Sequence, residues 1–357
     1  VDAENFKVNG GQGSDGQVLT STGSGVAFED ASGGPTFKTF GTSSIMVGDD
    51  ATGTIDAADY NTGLGVDIFA ALTSGDYNSV LGFSAGNDIT TGHSNTIIGA
   101  DAGAKITTGA YNTAVGRASL DACTTADSNT AVGWTSLGLT TTGAGNTAVG
   151  SDAGAAITTG ANNVIMGYLA GDANTTGHRN TYIGTSAGSS STTVGENTFV
   201  GNQAGQSTTT GGINTFVGHQ AGEANTTGAS NVFVGTGAGD ANTTGAKNSA
   251  VGVNALGANT TGPNSTAVGF GALASHTTAG NNTAVGYQAG NAVTTGDQNV
   301  YIGQDAGKLA TTGSNTAVGA VAFSTQILGT RNTALGYGAM QLAGGDGASN
   351  LLVNNTA

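Results

Sequence analysis

Four histidines, one cysteine and 23 carboxylates are the side chains in this 357-residue chain that could bind a metal, move a proton or attack a substrate. Their spacing gives them none of these tasks. His93, His178, His219 and His276 lie far apart, and no pair has the short separation of zinc ligands. No Ser-His-Asp set can be nominated, and no G-x-x-x-x-G-K-[ST] phosphate loop occurs. A glycan-degrading solenoid would need carboxylates clustered on one face, and here they are scattered. The densest group, GDDATGTIDAAD at 48–59, offers oxygen ligands for a weak Ca2+ site but lacks the GGxGxD pattern of calcium-binding β-rolls. The expectation is a protein without catalytic residues, cofactor or metal.

Composition narrows the class. Charged residues are 9% of the chain, against roughly 25% in ordinary globular proteins. Gly, Ala, Thr and Asn take their place, and hydrophobic residues still reach 37%. Disorder would need lower hydrophobicity, and collagen would need Gly at every third position. The net charge of -15 repels phosphate backbones, which argues against nucleic acid. No apolar run reaches the ~18 residues of a spanning helix, so no membrane insertion is expected. A single cysteine excludes an internal disulfide framework.

The organising feature is a repeat. A glycine preceded by Val, Leu, Ile or Met recurs at 48, 65, 82 and every 17 residues up to 303, then at 319 and 336. The unit reads N-T-a-v-G-x-x-A-G-x-x-x-T-T-G-x-x. A nineteenth unit is suggested by NLLVN, with Asn354 in place of the glycine. A run such as Asn112-Thr113-Ala114-Val115-Gly116 is too short and too β-branched for a helical repeat, which needs about 33 residues. Seventeen residues with two or three glycine corners suit one coil of a β-solenoid. Its short strands would stack about 4.8 Å apart, giving a rod of roughly 85 Å. The fold class expected is all-β: a repetitive β-solenoid or β-roll with 17-residue coils, in a homotrimeric fibre.

The trimer follows from a two-sided strand. Neighbouring strand residues face opposite sides, and both residues before the anchor glycine are apolar in most units. The invariant position (Val115, Val132, Val149) is expected to point into the coil, and the preceding one outward against other chains. On that reading Val217→Asp breaks the coil and Phe216→Asp weakens chain association.

Flanking regions lack the period. Residues 1–40 read as an N-terminal hairpin and linker, with GQVLTSTGSGVAFED (16–30) forming the hairpin and ASGGP (31–35) the linker. Residues 41–341 hold about 18 repeats, and 342–357 an insertion and the start of a further repeat or domain. Neither end shows a cap or a secretory leader, so the chain is expected to be a segment of a longer fibre.

NTAVG, followed by a small residue and a second glycine, resembles the NSVAIG-type repeat of YadA-like adhesin heads across residues 44–341. That resemblance implies a trimeric left-handed β-roll, although the 17-residue period is longer than the family's usual one. The stretch GSDGQVLTSTGSGVAFED resembles segments near the start of fibre domains in tailed-phage tail fibres. Together they imply the shaft of a phage tail fibre in the virion. It would assemble with itself and with other tail proteins, and it would present a receptor-binding tip to a host surface glycan. The alternatives are a bacterial extracellular trimeric adhesin or surface filament and, more remotely, an ice-binding solenoid.

Individual residues fit a structural role. Asn112, Asn129 and Asn146, with Gly116, Gly133 and Gly150, are expected to form ladders with the valines. Tyr182, Phe199, Phe216 and Phe233 share one repeat position and should stack as a packed aromatic ladder, in the core or between chains. Trp134, Tyr168, Phe270 and Tyr287 follow the anchor glycine and are the candidate glycan contacts. Asn174, Asn225, Asn242 and Asn259 begin formal N-T-T glycosylation sequons, read as a coincidence of the repeat. Thr107-Thr108, Thr158-Thr159 and Thr226-Thr227 would form two ladders, attributed to β-propensity, with one threonine of each pair outward. Cys123 replaces Ile89, Ile106 and Ile157 and should be a buried, inert thiol.

Overall fold

The computed structural model describes residues 58–325 and 329–340, together with the outlying strands at 17–21, 26–30, 36–40, 44–48 and 351–353. Among the described residues twenty-two strands, β1–β22 in chain order, make up the regular structure. β1 (Gln17–Ser21) and β2 (Val26–Asp30) pair antiparallel. β3 (Thr36–Phe40) pairs antiparallel with β4 (Ser44–Gly48). From β4 to β22 (Leu351–Val353) every strand pairs in parallel with the next, as an open stack. The 31–35 linker and the 342–350 insertion lie outside the described residues, as does most of the acidic group at 48–59.

Each coil contributes one strand, three residues long from β6 onward, and the register equals the period. Thr113, Ala114 and Val115 of β8 (Thr113–Val115) lie beside Thr130, Ala131 and Val132 of β9 (Thr130–Val132). The register narrows to 16 residues between Val300 and Thr316 and widens to 18 between Thr333 and Leu351. A missing or added residue is therefore absorbed in a corner, and the ladder continues. The chain is an all-β parallel solenoid of 17-residue coils.

The strand alternation is the reverse of the sequence expectation. Ala114, Ala131 and Ala148 have no exposed surface, whereas Val115, Val132 and Val149 sit half-exposed on the outer face. The reason lies in the anchor glycine. Gly116 has φ +135°, and a Cβ there would stand 2.4 Å from the carbonyl oxygen of Gly133. The backbone thus turns immediately after the valine, and only the residue before the valine reaches the coil axis. Phe216 is consequently core and Val217 outer face, so the roles expected for these two exchange.

The core is one continuous thread. Tyr182, Phe199, Phe216 and Phe233 are fully buried, with ring centroids 5.2, 4.8 and 4.9 Å apart and planes within 18°. The aromatic ladder is therefore inside its own chain. Each buried ring contributes about 1.5–3 kcal/mol by leaving water.

Candidate functional site

Two surfaces could act on the outside world, and the strand places the first. Its outward residues are those three and one before the anchor glycine. In the eighteen strands from β4 to β21 (Thr333–Leu335) these positions hold Thr, Ser, Val or Ile and then Val, Leu, Ile or Met, with no charged residue anywhere. Twelve of the aliphatics, Leu64 and Leu335 among them, are 37–52% exposed. Isolated exposed aliphatics need no explanation, but a row repeated along the whole rod is a contiguous apolar face.

The second surface follows the anchor glycine. Trp134, Tyr168, Phe270 and Tyr287 are each about half exposed. Phe270 and Tyr287 occupy adjacent coils and stack, with centroids 5.5 Å apart. Ser151 separates Trp134 from Tyr168 in the same row. Beside Trp134 lies a groove of about 400 Å³, lined by the indole, Leu139 and Leu169, by small residues, and by Asp121, Asp152 and Asp172. The Thr135 hydroxyl donates to Asp152, and so does that of Ser151, at 2.9 Å. Burial raises the pKa of Asp121, and the nearby Asp101 carboxylate adds to it against the opposing charge of Lys105. Burial also raises that of Asp172, reinforced by Asp152 and opposed by the backbone N–H groups at 172 and 173.

The polar ladders are structural. The backbone N–H of Asn129 donates to Oδ1 of Asn112 at 3.0 Å, and Nδ2 of Asn129 donates to the Gly143 carbonyl at 3.0 Å. Each asparagine thus joins its coil to the preceding one and buckles its own coil shut. The sequon asparagines Asn174, Asn225, Asn242 and Asn259 are fully buried. Nδ2 of Asn242 donates to Oδ1 of Asn225, and Nδ2 of Asn259 to Oδ1 of Asn242, both at 2.7 Å.

His276 continues this inner corner. Its Nδ1 lies 3.0 Å from Oδ1 of Asn259, and its Nε2 lies 3.1 Å from Nδ2 of Asn282. Burial lowers its pKa to about 4, against the pull of Asp297. Its coil is the one where Ser265 replaces the buckling asparagine, and the imidazole meets the Asn282 amide where the missing asparagine oxygen would stand.

The threonine pairs lie in bends rather than strands, so β-propensity is not their cause. Thr107, Thr158 and Thr226 donate their hydroxyls to the carbonyls of Thr124, Thr175 and Thr243 one coil on, at 3.0–3.1 Å. Thr108, Thr159 and Thr227 are exposed, part of a single file of thirteen from Thr91 to Thr295. Cys123 is buried, and burial pushes its thiol up to about 11. Among the described residues no three His, Cys, Asp or Glu side chains form a metal cluster, and no helix is long and apolar enough to cross a membrane.

No protein-family model matches the chain, and no curated protein or solved structure matches it either.

Proposed function

We propose that this chain forms the shaft of a homotrimeric extracellular fibre, of the kind that carries a receptor-binding tip on a phage tail. The observation that carries this reading is the uncharged strand face running the length of the rod. A row of Val, Leu, Ile and Met over eighteen coils is costly to leave in water, at roughly 25 cal/mol per Å². A second and third copy of the same chain present the same row in the same register, so three rods close around one axis without any other partner. The resemblance to trimeric adhesin heads supplies the number three. The role is mechanical: backbone ladders and a stacked core stiffen the rod, and an uncharged outer face lets the copies approach closely. A bacterial adhesin built on the same rod remains the second reading, because the apolar face would serve it equally.

The test is a double variant, Val200→Asp with Val217→Asp, on two neighbouring outward positions. Two charges there should dissociate the assembly while the far-ultraviolet circular dichroism stays that of the parent. A variant that keeps its mass, or that loses the coil itself, contradicts the proposal.

A further inference from the structure

The groove beside Trp134 has features that a structural shaft does not require. It spans the coils from Ala118 to Asp172, and its volume of about 400 Å³ lies in the range of ligand sites. One wall is a half-exposed indole, and Leu139 is more exposed still, at 57%. Its charged lining is three carboxylates, with no Lys, Arg or His.

We propose that this groove binds a glycan chain of uncharged pyranose sugars, with Trp134 as the stacking platform and Asp121, Asp152 and Asp172 as acceptors of sugar hydroxyls. The chemistry selects this class in three ways. A pyranose carries a face of C–H groups that packs on an aromatic plane, and the indole offers a large rigid one. Ionised carboxylates only accept hydrogen bonds, so the ligand must bring donors, and sugar hydroxyls are donors in number. Acidic sugars and phosphates are excluded, since nothing cationic lines the groove to hold them.

The groove also suggests the ligand's length. Its lining repeats along four successive coils, as Ala118, Thr135, Asp152 and Leu169. The groove therefore runs along the rod, and the occupant is a linear chain lying on it rather than a single sugar. None of these residues belongs to the outward strand face. Binding is therefore independent of whether three copies assemble, and either proposal can fail without the other.

Trp134 is the chain's only tryptophan, so its fluorescence reports the groove directly. The intact chain would be titrated with maltohexaose, cellohexaose and laminarihexaose, with glucose, and with hexameric oligogalacturonate. At least one neutral hexasaccharide should give a saturable change in emission. Glucose should bind at least tenfold more weakly, and oligogalacturonate not at all. By calorimetry, Trp134→Ala and Leu139→Asp should each weaken binding at least tenfold. Both positions are exposed, so the coil should survive the changes. The proposal is overturned if no neutral hexasaccharide changes the emission, if oligogalacturonate binds equally, or if binding survives both substitutions.

Discussion

The ring of Phe199 fills the space that a side chain at Gly205 would occupy: a Cβ on Gly205 would stand 2.6 Å from Cδ2 and Cε2 of the ring. The same exchange runs along the rod. Tyr182, Phe216 and Phe233 face Gly188, Gly222 and Gly239, whereas Ala114, Ala131, Ala250 and Ala267 share their coils with Leu120, Leu137, Leu256 and Leu273. In these coils the large side chain comes from one or the other of two positions six residues apart; where both are small, as at Ala148 with Gly154 and Ala284 with Gly290, the buried Ile157 and Val293 fill the coil from three residues further on.

Phe199→Ala should therefore destabilise its coil by about 3–5 kcal/mol, the usual cost of such a cavity. Gly205→Leu alone should destabilise it by overpacking. The double variant should regain at least ~1 kcal/mol over Phe199→Ala, since it recreates the pairing of Ala131 with Leu137. Urea unfolding of all three variants gives the coupling. Strict additivity would refute the shared-volume account.

That exchange also explains what the sequence conceals. The 17-residue period, the strand at each anchor glycine and the asparagine ladder are legible because each is a column that scarcely varies, Ser44 and Ser265 being the substitutes for asparagine. Facing is not. The position of Val115 is always aliphatic and so reads as core, while that of Ala114 ranges from Gly63 to Tyr182 and so reads as surface. The variability is compensated six residues on, and the pairing shows only when two columns are compared. The groove is hidden for a related reason. Asp121, Asp152 and Asp172 are scattered along the chain, and they converge only after the coils are stacked. His276 follows Asn259 as simple variation in a column, and its reach to Asn282 depends on the depth of the corner.

Asn129→Ala tests the buckle. It removes the acceptor for the Asn146 N–H and the donor to the Gly143 carbonyl. Leaving such buried groups unpaired should cost about 2–4 kcal/mol. Native-state hydrogen exchange at the Asn146 amide should accelerate far more than at amides several coils away, because solenoid stability is carried by neighbouring units. Equal acceleration along the whole rod would contradict the local role.

His276 gives the rod a pH dependence of defined sign. Burial holds the native imidazole neutral down to about pH 4, while an unfolded histidine takes up its proton near pH 6.5. Between those values the unfolded state binds a proton that the native coil refuses. The stabilisation is complete above pH 6.5 and lost as the pH falls toward 4, by up to about 3 kcal/mol. His276→Asn restores the residue of the three preceding coils, Asn225, Asn242 and Asn259, and should flatten this window relative to the parent. Parallel stability curves for the two proteins would show that the imidazole is not held neutral.

The outward aliphatic row makes assembly the central claim, and the most direct measurement is the solution mass of the purified chain by light scattering coupled to size-exclusion chromatography. The account predicts a mass three times the 34.3 kDa of one chain, with no smaller species at micromolar concentration. A stable 34.3 kDa monomer would contradict it, because the face from Leu64 to Leu335 would then be at home in water.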